Sequence, residues 1–346
     1  MEVYREMNRA NNFTLCHFIG AVMVIFGHQW ELMCENQPGG VLGLNIHGAG
    51  VYILFACSGY LISNSYKRSD TIKAYVQRRC LRIILPLLLC MFFTGTLGYL
   101  IKAENVSGTS YAKGYLYYLI RNMCFWTYSR LPGVFTHNPF GDVVNGSLWS
   151  LAPEILCYML VPVICKNSRR LWVVLATCAC TLLYSISCYD IIKIKNEHWL
   201  GVILCFFIGV TVNQLQLEKY LNLQAAIVMG CLVSCCSLSF YPVINMFVVC
   251  YIALSLAMAD NPIFMNAVKV DINYELYLYA FPIQQLIIEI LRVRNNIFIS
   301  GYYMFVLSFG CTVAVSFIMN ALDKRLRNML GHLGEEKHHE QENKKR

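Results

Sequence analysis

The sequence predicts an all-α, polytopic integral membrane bundle of about ten transmembrane helices with both termini cytoplasmic, and three observations predict it. The 346 residues are 57% hydrophobic and only 14% charged, where soluble domains carry about a quarter charged residues; the mean hydropathy is +0.48. Apolar runs of the roughly 20 residues that cross a hydrocarbon core recur along nearly the whole chain. With the N terminus inside, 20 of the 28 Lys and Arg fall on the inner side, the bias that orients membrane proteins.

Punctuation by Pro, Gly and charge places spans near 13–33, 45–65, 81–101, 147–165, 171–188, 199–213, 223–240, 242–259, 274–291 and 297–320. The first exceeds the apolar core of a signal peptide and no small-residue cleavage site follows, so it is expected to be retained. The stretch from Tyr111 to Phe135 is aromatic but broken by Lys113, Arg121, Arg130 and Pro132, which predicts an interfacial or re-entrant segment. The basic tail over 323–346 reads as a cytoplasmic topology anchor that meets lipid headgroups, and no nucleic-acid partner is expected. No repeat and no nucleotide-binding glycine loop occurs, so residues 1–346 form a single domain. Most of the 17 cysteines sit inside apolar runs as small hydrophobes, and neither a metal nor a structural disulfide is expected.

Ionisable side chains at membrane depth are costly, so each is a functional candidate. His17 and His28 are eleven residues apart, about three turns on one helix face, and Glu31 follows His28 by three. At the start of the third span, Arg78 and Arg82 are four apart and present two forked cations suited to phosphate; together with Arg79 they serve either as ligand binders or as positive-inside anchors. The fourth span opens with Ser147, Trp149, Pro153 and Glu154. Counted at about 1.5 Å per residue from the outer side, Glu154 reaches a depth similar to that of His28. Glu154 is either functional or a cap on the outer half-helix; His28 is functional or packs by a hydrogen bond. Tyr277 and Tyr279 read as an interface belt.

Four segments in order, NNFTLCHFIGAVMVIFGH, VYILFACSGYLISNSY, VNGSLWSLAPEILCYMLVP and INYELYLYAFPIQQ, resemble the acyltransferase-3 family, bacterial membrane proteins that O-acylate surface polysaccharides, lipopolysaccharide and peptidoglycan. The resemblance spans essentially the whole chain. It implies that His28 is the catalytic histidine, that Arg79 and Arg82, with Arg78 adjacent, hold the acyl donor, and that Ser147, Trp149 and Glu154 form the family's serine-tryptophan-glutamate element. Ser58 with Gly59 matches its Ser-Gly turn, and Tyr279 with Pro282 its penultimate-span motif. The chain departs from the family at His17, where an arginine is usual, at Thr14, where an acidic residue is usual, and at Glu275, usually glycine.

The expected activity is transfer of an acyl group, most readily acetyl from acetyl-CoA as co-substrate with no permanently bound cofactor, to a hydroxyl of an extracytoplasmic or lipid-linked sugar in the inner membrane. His28 would act as general base or transient acyl carrier, with Glu31 or Glu154 orienting its ring and Trp149 offering the sugar a stacking face. His17 and Tyr279 complete the expected substrate-binding set. Lacking a fused extracytoplasmic domain, the chain would complete the transfer itself or work with a separate extracytoplasmic protein or a second copy. The rivals are a proton-coupled glycolipid transporter, with His28 and Glu154 as the relay, and an assembly subunit without activity.

Overall fold

The computed structural model describes residues 11–166, 170–189, 191, 196–235, 241–259 and 271–343, with side chains over 12–329. Among these residues there is no strand, and two isolated bridges (Val41 to Leu44, Arg130 to Val143) are the extent of β pairing. The helices are α1 (Asn11–Leu32), α2 (Ile46–Lys67), α3 (Ile72–Ile101), α4 (Gly108–Met123), a 3-10 turn (Gly146–Ser150) running into α5 (Leu151–Ile164), α6 (Arg170–Cys188), α7 (Glu197–Leu215), α8 (Leu223–Cys235), α9 (Pro242–Ala257), α10 (Asn273–Ile288) with a π-helical turn (Glu289–Arg294), and α11 (Gly301–Asn343).

Eight of these are long and apolar enough to cross a membrane. Helices α8 and α9 are apolar but shorter, with 13 and 16 described residues, about 20 and 24 Å. All ten fall where spans were expected. The last part of the predicted 223–240 span lies outside the described residues. The cysteines among the described residues are free. The tail beyond Leu322 continues α11 as helix through Asn343.

Contacts between helix ends tell the two ends of the bundle apart. At one end the side-chain amide of Asn273 donates to the Thr14 carbonyl (3.0 Å) and that of Asn320 to the Asp271 carbonyl (3.2 Å). This end, which also carries Arg78, Arg79 and Arg82, is the basic end. At the far end Gly301 lies against the Trp30 ring. Helix α1 therefore starts, and α11 finishes its crossing, at the basic end, as an even number of crossings requires.

Helix α4 does not span. It lies along α3 through the Tyr111 hydroxyl, which donates to the Gly95 carbonyl (2.6 Å), and the Tyr115 ring occupies the space a Gly95 side chain would need. The chain then enters the bundle without helical structure, burying Val134, Phe135, Val144 and Asn145. Helix α10 ties it in by hydrogen bonds: Asn138 donates to the carbonyl and Oε1 of Gln285, Gln285 to the Val143 carbonyl, and Asn145 to the Leu278 carbonyl, all within 2.9 Å. Irregular backbone is tolerated at membrane depth only under such protein cover.

Helix α2 packs against its neighbours at backbone contact. A methyl on Gly59 would lie 1.9 Å from the Phe206 carbonyl oxygen, and one on Gly209 would lie 2.0 Å from that of Ala56, so α2 and α7 touch main chain to main chain. Gly20 and Gly50 do the same for α1 and α2, at 3.0 and 2.6 Å. In lipid, where helix association rests on van der Waals fit, such small residues set the geometry. The expected Ser-Gly turn at Ser58 and Gly59 is accordingly a correction: both lie inside an unbroken helix, and the glycine is there for close approach.

Gly59→Ala should lower the melting temperature of the detergent-purified protein, overpacking of this kind costing about 1 to 3 kcal/mol. Gly48→Ala, in the same helix with nothing within 4 Å, should leave it unchanged or raise it slightly, since Ala favours a helix over Gly. Equal melting of the two variants would contradict this packing.

Candidate active site

A cavity of about 280 Å³ opens at the basic end, walled by α1 (Thr14, His17), α2 (Val51, Ser58), α3 (Arg79, Arg82), α5 (Glu154, Tyr158) and the start of α10 (Asp271, Tyr274, Tyr277). Its two guanidinium groups come from positions three apart on one helix face. Arg79 is partly buried and its Nε lacks a hydrogen-bond partner. Arg82 meets Asp271 at 3.5 Å, with both side chains more than half exposed. An exposed pair of this kind is weak, so Arg82 is free to serve an anion. The sequence paired Arg78 with Arg82. Arg78 instead turns outward to donate to the Ser69 hydroxyl, because α3 rotates the 79 and 82 positions, not 78, toward the bundle.

His17 is fixed by the backbone. Its Nδ1 donates to the Phe13 carbonyl (2.7 Å), which leaves Nε2 as an acceptor facing the Ser58 hydroxyl at 3.4 Å. Across the cavity the Tyr158 hydroxyl donates to Glu154, and the Tyr75 hydroxyl donates to the Tyr158 carbonyl (3.0 Å). Tyr274 brings a buried hydroxyl without a partner. A cavity with two forked cations at its mouth and neutral hydroxyls deeper inside suits a ligand that is anionic at one end and polar but uncharged at the other.

Glu154 is not at the depth of His28. The fourth span was counted from the outer surface, whereas the buried stretch before Asn145 has already carried the chain into the bundle. Gly146 packs on Phe281 and the Tyr277 hydroxyl donates to the Ser147 carbonyl (3.0 Å), so Glu154 emerges near Tyr274. The His28 ring lies against Phe281, at 5.6 Å between centroids. Seven residues of α10 separate the two levels, roughly 10 Å. Pro153 sits in the first turn of α5, where a missing N–H costs nothing.

His28 is buried, and its ring neighbours are Phe281 and His47, the latter 5.5 Å away. Glu31 was expected to touch His28; it is exposed, and its charge acts on His47. The spacing of three puts His28 and Glu31 at neighbouring positions of the helix, but the Glu31 side chain runs out to solvent while the His28 ring turns into the bundle. Trp149 is half-buried with its ring 6.3 Å from that of His198. Tyr277 and Tyr279 form no interface belt. Both are buried, Tyr277 accepting from the Ser150 hydroxyl (2.7 Å) and Tyr279 meeting Phe93 edge-on. Of the expected residues, then, His17, Ser58, Arg79, Arg82 and Glu154 share the cavity. His28 lies beyond its inner end, Ser147 is buried between the two levels, and Glu31 and Trp149 stand toward the far end.

Sequence reasoning marked the Asp271–Gln285 stretch, which brings Asp271 and Tyr274 to the cavity, but missed Tyr158 and His47. Tyr158 carried a signal, four residues after Glu154 on the same face. His47 did not, because its neighbours come from other helices.

The chain is matched over residues 12–321 by the acyltransferase-3 family model, described as an acyltransferase domain. It is 27% identical over 322 residues to an O-acetyl transferase of Shigella phage Sf6, covering 89% of this chain and 92% of that one. It is 30% identical over 172 residues to nodulation protein 10 of Rhizobium leguminosarum bv. viciae, covering 46% of this chain and 45% of the relative. No solved structure matches significantly. These similarities favour an acyltransferase over a transporter. From the first turn of α1 to the middle of α11, the chain belongs to the acyltransferase-3 family and is a multi-pass membrane O-acyltransferase.

Proposed function

We propose that the protein moves an acetyl group from acetyl-CoA to a sugar hydroxyl on the far side of the bacterial inner membrane, with its basic end in the cytoplasm. The observation that carries this reading is the cavity at the basic end, lined by Arg79 and Arg82 and ending about one turn short of His28 and its neighbours. CoA is anionic at its nucleotide and polar but uncharged along its pantetheine arm, the polarity the cavity offers. Its phosphates meet Arg79 and Arg82. The arm passes His17, Ser58 and the Glu154–Tyr158 pair, and the thioester arrives below His28.

His28, buried and without a carboxylate beside it, takes the proton of the acceptor hydroxyl as the oxygen attacks the thioester carbonyl. It then returns that proton to the departing thiolate. Trp149, toward the far end, gives the sugar a stacking face. Glu154, in the donor cavity near the two arginines, shapes the path of the arm and lies too far from His28 to orient it. Nodulation protein 10 and the phage O-acetyl transferase lend support by similarity; the acceptor on this chain is proposed as a surface or lipid-linked glycan.

His28→Ala should reduce transfer of acetyl to alkali-treated surface polysaccharide by about 100- to 10,000-fold with melting temperature intact, the range for loss of a general base. Activity within a few-fold of the parent would remove His28 from the chemistry. Replacing Arg79 and Arg82 together by Lys preserves the orienting charge but loses the forked geometry. This variant should raise the apparent KM for acetyl-CoA with little change in kcat, and Arg78→Lys should match the parent. An unchanged KM in the double variant would return both arginines to the role of membrane anchors.

A further inference from the structure

Beyond the inner end of the donor cavity, α1 and α2 bring two histidines together. The rings of His28 and His47 are 5.5 Å apart and inclined by 32°. The approach depends on Gly27, where a methyl would lie 2.7 Å from Cβ and 3.0 Å from Nδ1 of His47. The Nδ1 of His47 therefore faces α1, and it is buried with no hydrogen-bond partner. A buried polar atom left unpaired costs about 1 to 3 kcal/mol, a cost that an acceptor reaching this N–H would remove.

The surroundings say from which side such an acceptor comes. Val51, one turn along α2 from His47, lines the donor cavity; the turn is about 6 Å. On the other side His47 is half-buried, and the titratable groups nearest it are Glu31 of α1 and His198 of α7, both exposed. Trp149 stands beside His198. The two histidines thus form the partition between a donor cavity below and an open, polar, aromatic-edged approach above.

We propose that His47 is a second catalytic histidine, whose Nδ1–H donates to the thioester carbonyl oxygen while His28 takes the acceptor proton. This rests on the reading of His28 as the base. The acceptor oxygen bonds to the carbonyl carbon, and the carbonyl π pair moves onto the oxygen that His47 stabilises. When that pair returns, the C–S bond breaks, and the thiolate takes the proton from the His28 imidazolium. No further reactant is needed. A ring separation of 5.5 Å admits no sugar between the histidines but lets both reach one small reacting group.

The test compares purified parent with His47→Phe, His47→Gln and His28→Ala, using acetyl-CoA as donor and alkali-treated surface polysaccharide as acceptor, with melting temperatures recorded. Phe keeps the ring packed against Gly27 and His28 but has no N–H; Gln keeps an N–H. His47→Phe should lower kcat about 100-fold or more with the acetyl-CoA KM unchanged, the cost of losing one oxyanion donor, and His47→Gln should recover to within about 10-fold of the parent. If His47→Phe does not fold, His47→Leu and His47→Asn, matched in size and differing in the N–H, make the same comparison. A Phe or Leu variant within a few-fold of the parent overturns the proposal, as do Gln and Phe variants that are folded and equally inactive. An active His28→Ala defeats the reading of His28 itself. An inactive His28→Ala beside an active His47→Phe defeats only the role of His47.

Discussion

Helix α2 is held at backbone contact on two sides, by α1 through Gly20 and Gly50 and by α7 through Gly59 and Gly209. Because no side chain intervenes at those points, the helix has little freedom to slide or rotate. Everything the site requires of α2 follows from that grip: Ser58 meets His17 at the basic end, Val51 lines the cavity there, and His47 meets His28 beyond it. The helix runs past both the cavity and the histidine pair, and a shift of one residue would move its contribution to each.

The second constraint is that lipid offers no hydrogen bonds to exposed backbone. The non-helical chain between α4 and the 3-10 turn is held inside the bundle by hydrogen bonds of Asn138, Asn145 and Gln285 to and from α10. Its presence decides where the catalytic layers fall. It delivers Ser147 to the level of Tyr277 and so drops Glu154 to the level of the arginines, which turns a carboxyl expected beside His28 into a wall of the cavity at the basic end.

The fold was legible because hydropathy and cationic bias act on whole segments, so ten helices fall where ten spans were expected, two of them short. The family was legible from four motifs in order. The site was legible in part. Arg79, Arg82, His17, Ser58 and Glu154 do share one cavity, but residue counting from an assumed membrane surface misplaced Glu154, since the segment marked as interfacial or re-entrant ends at Phe135 while the buried chain runs on to Asn145. Helical spacing could not tell whether Arg78 or Arg79 faces inward, because that depends on the rotation of α3, which its neighbours set. Tyr277 and Tyr279 look like interface residues in sequence and are buried because Ser150 and Phe93 receive them from other helices. His47 has its meaning only through α1.

The central claim is that donor and acceptor are handled from opposite ends of one bundle and meet at His28. The most direct measurement uses the purified protein in sealed proteoliposomes of known orientation. Acetyl-CoA is confined to the compartment facing Arg79 and Arg82, and alkali-treated surface polysaccharide to the opposite one. Acetylated polysaccharide should accumulate in its own compartment while free CoA appears with the donor. Acetylation that occurs only when donor and acceptor share a compartment would contradict the claim.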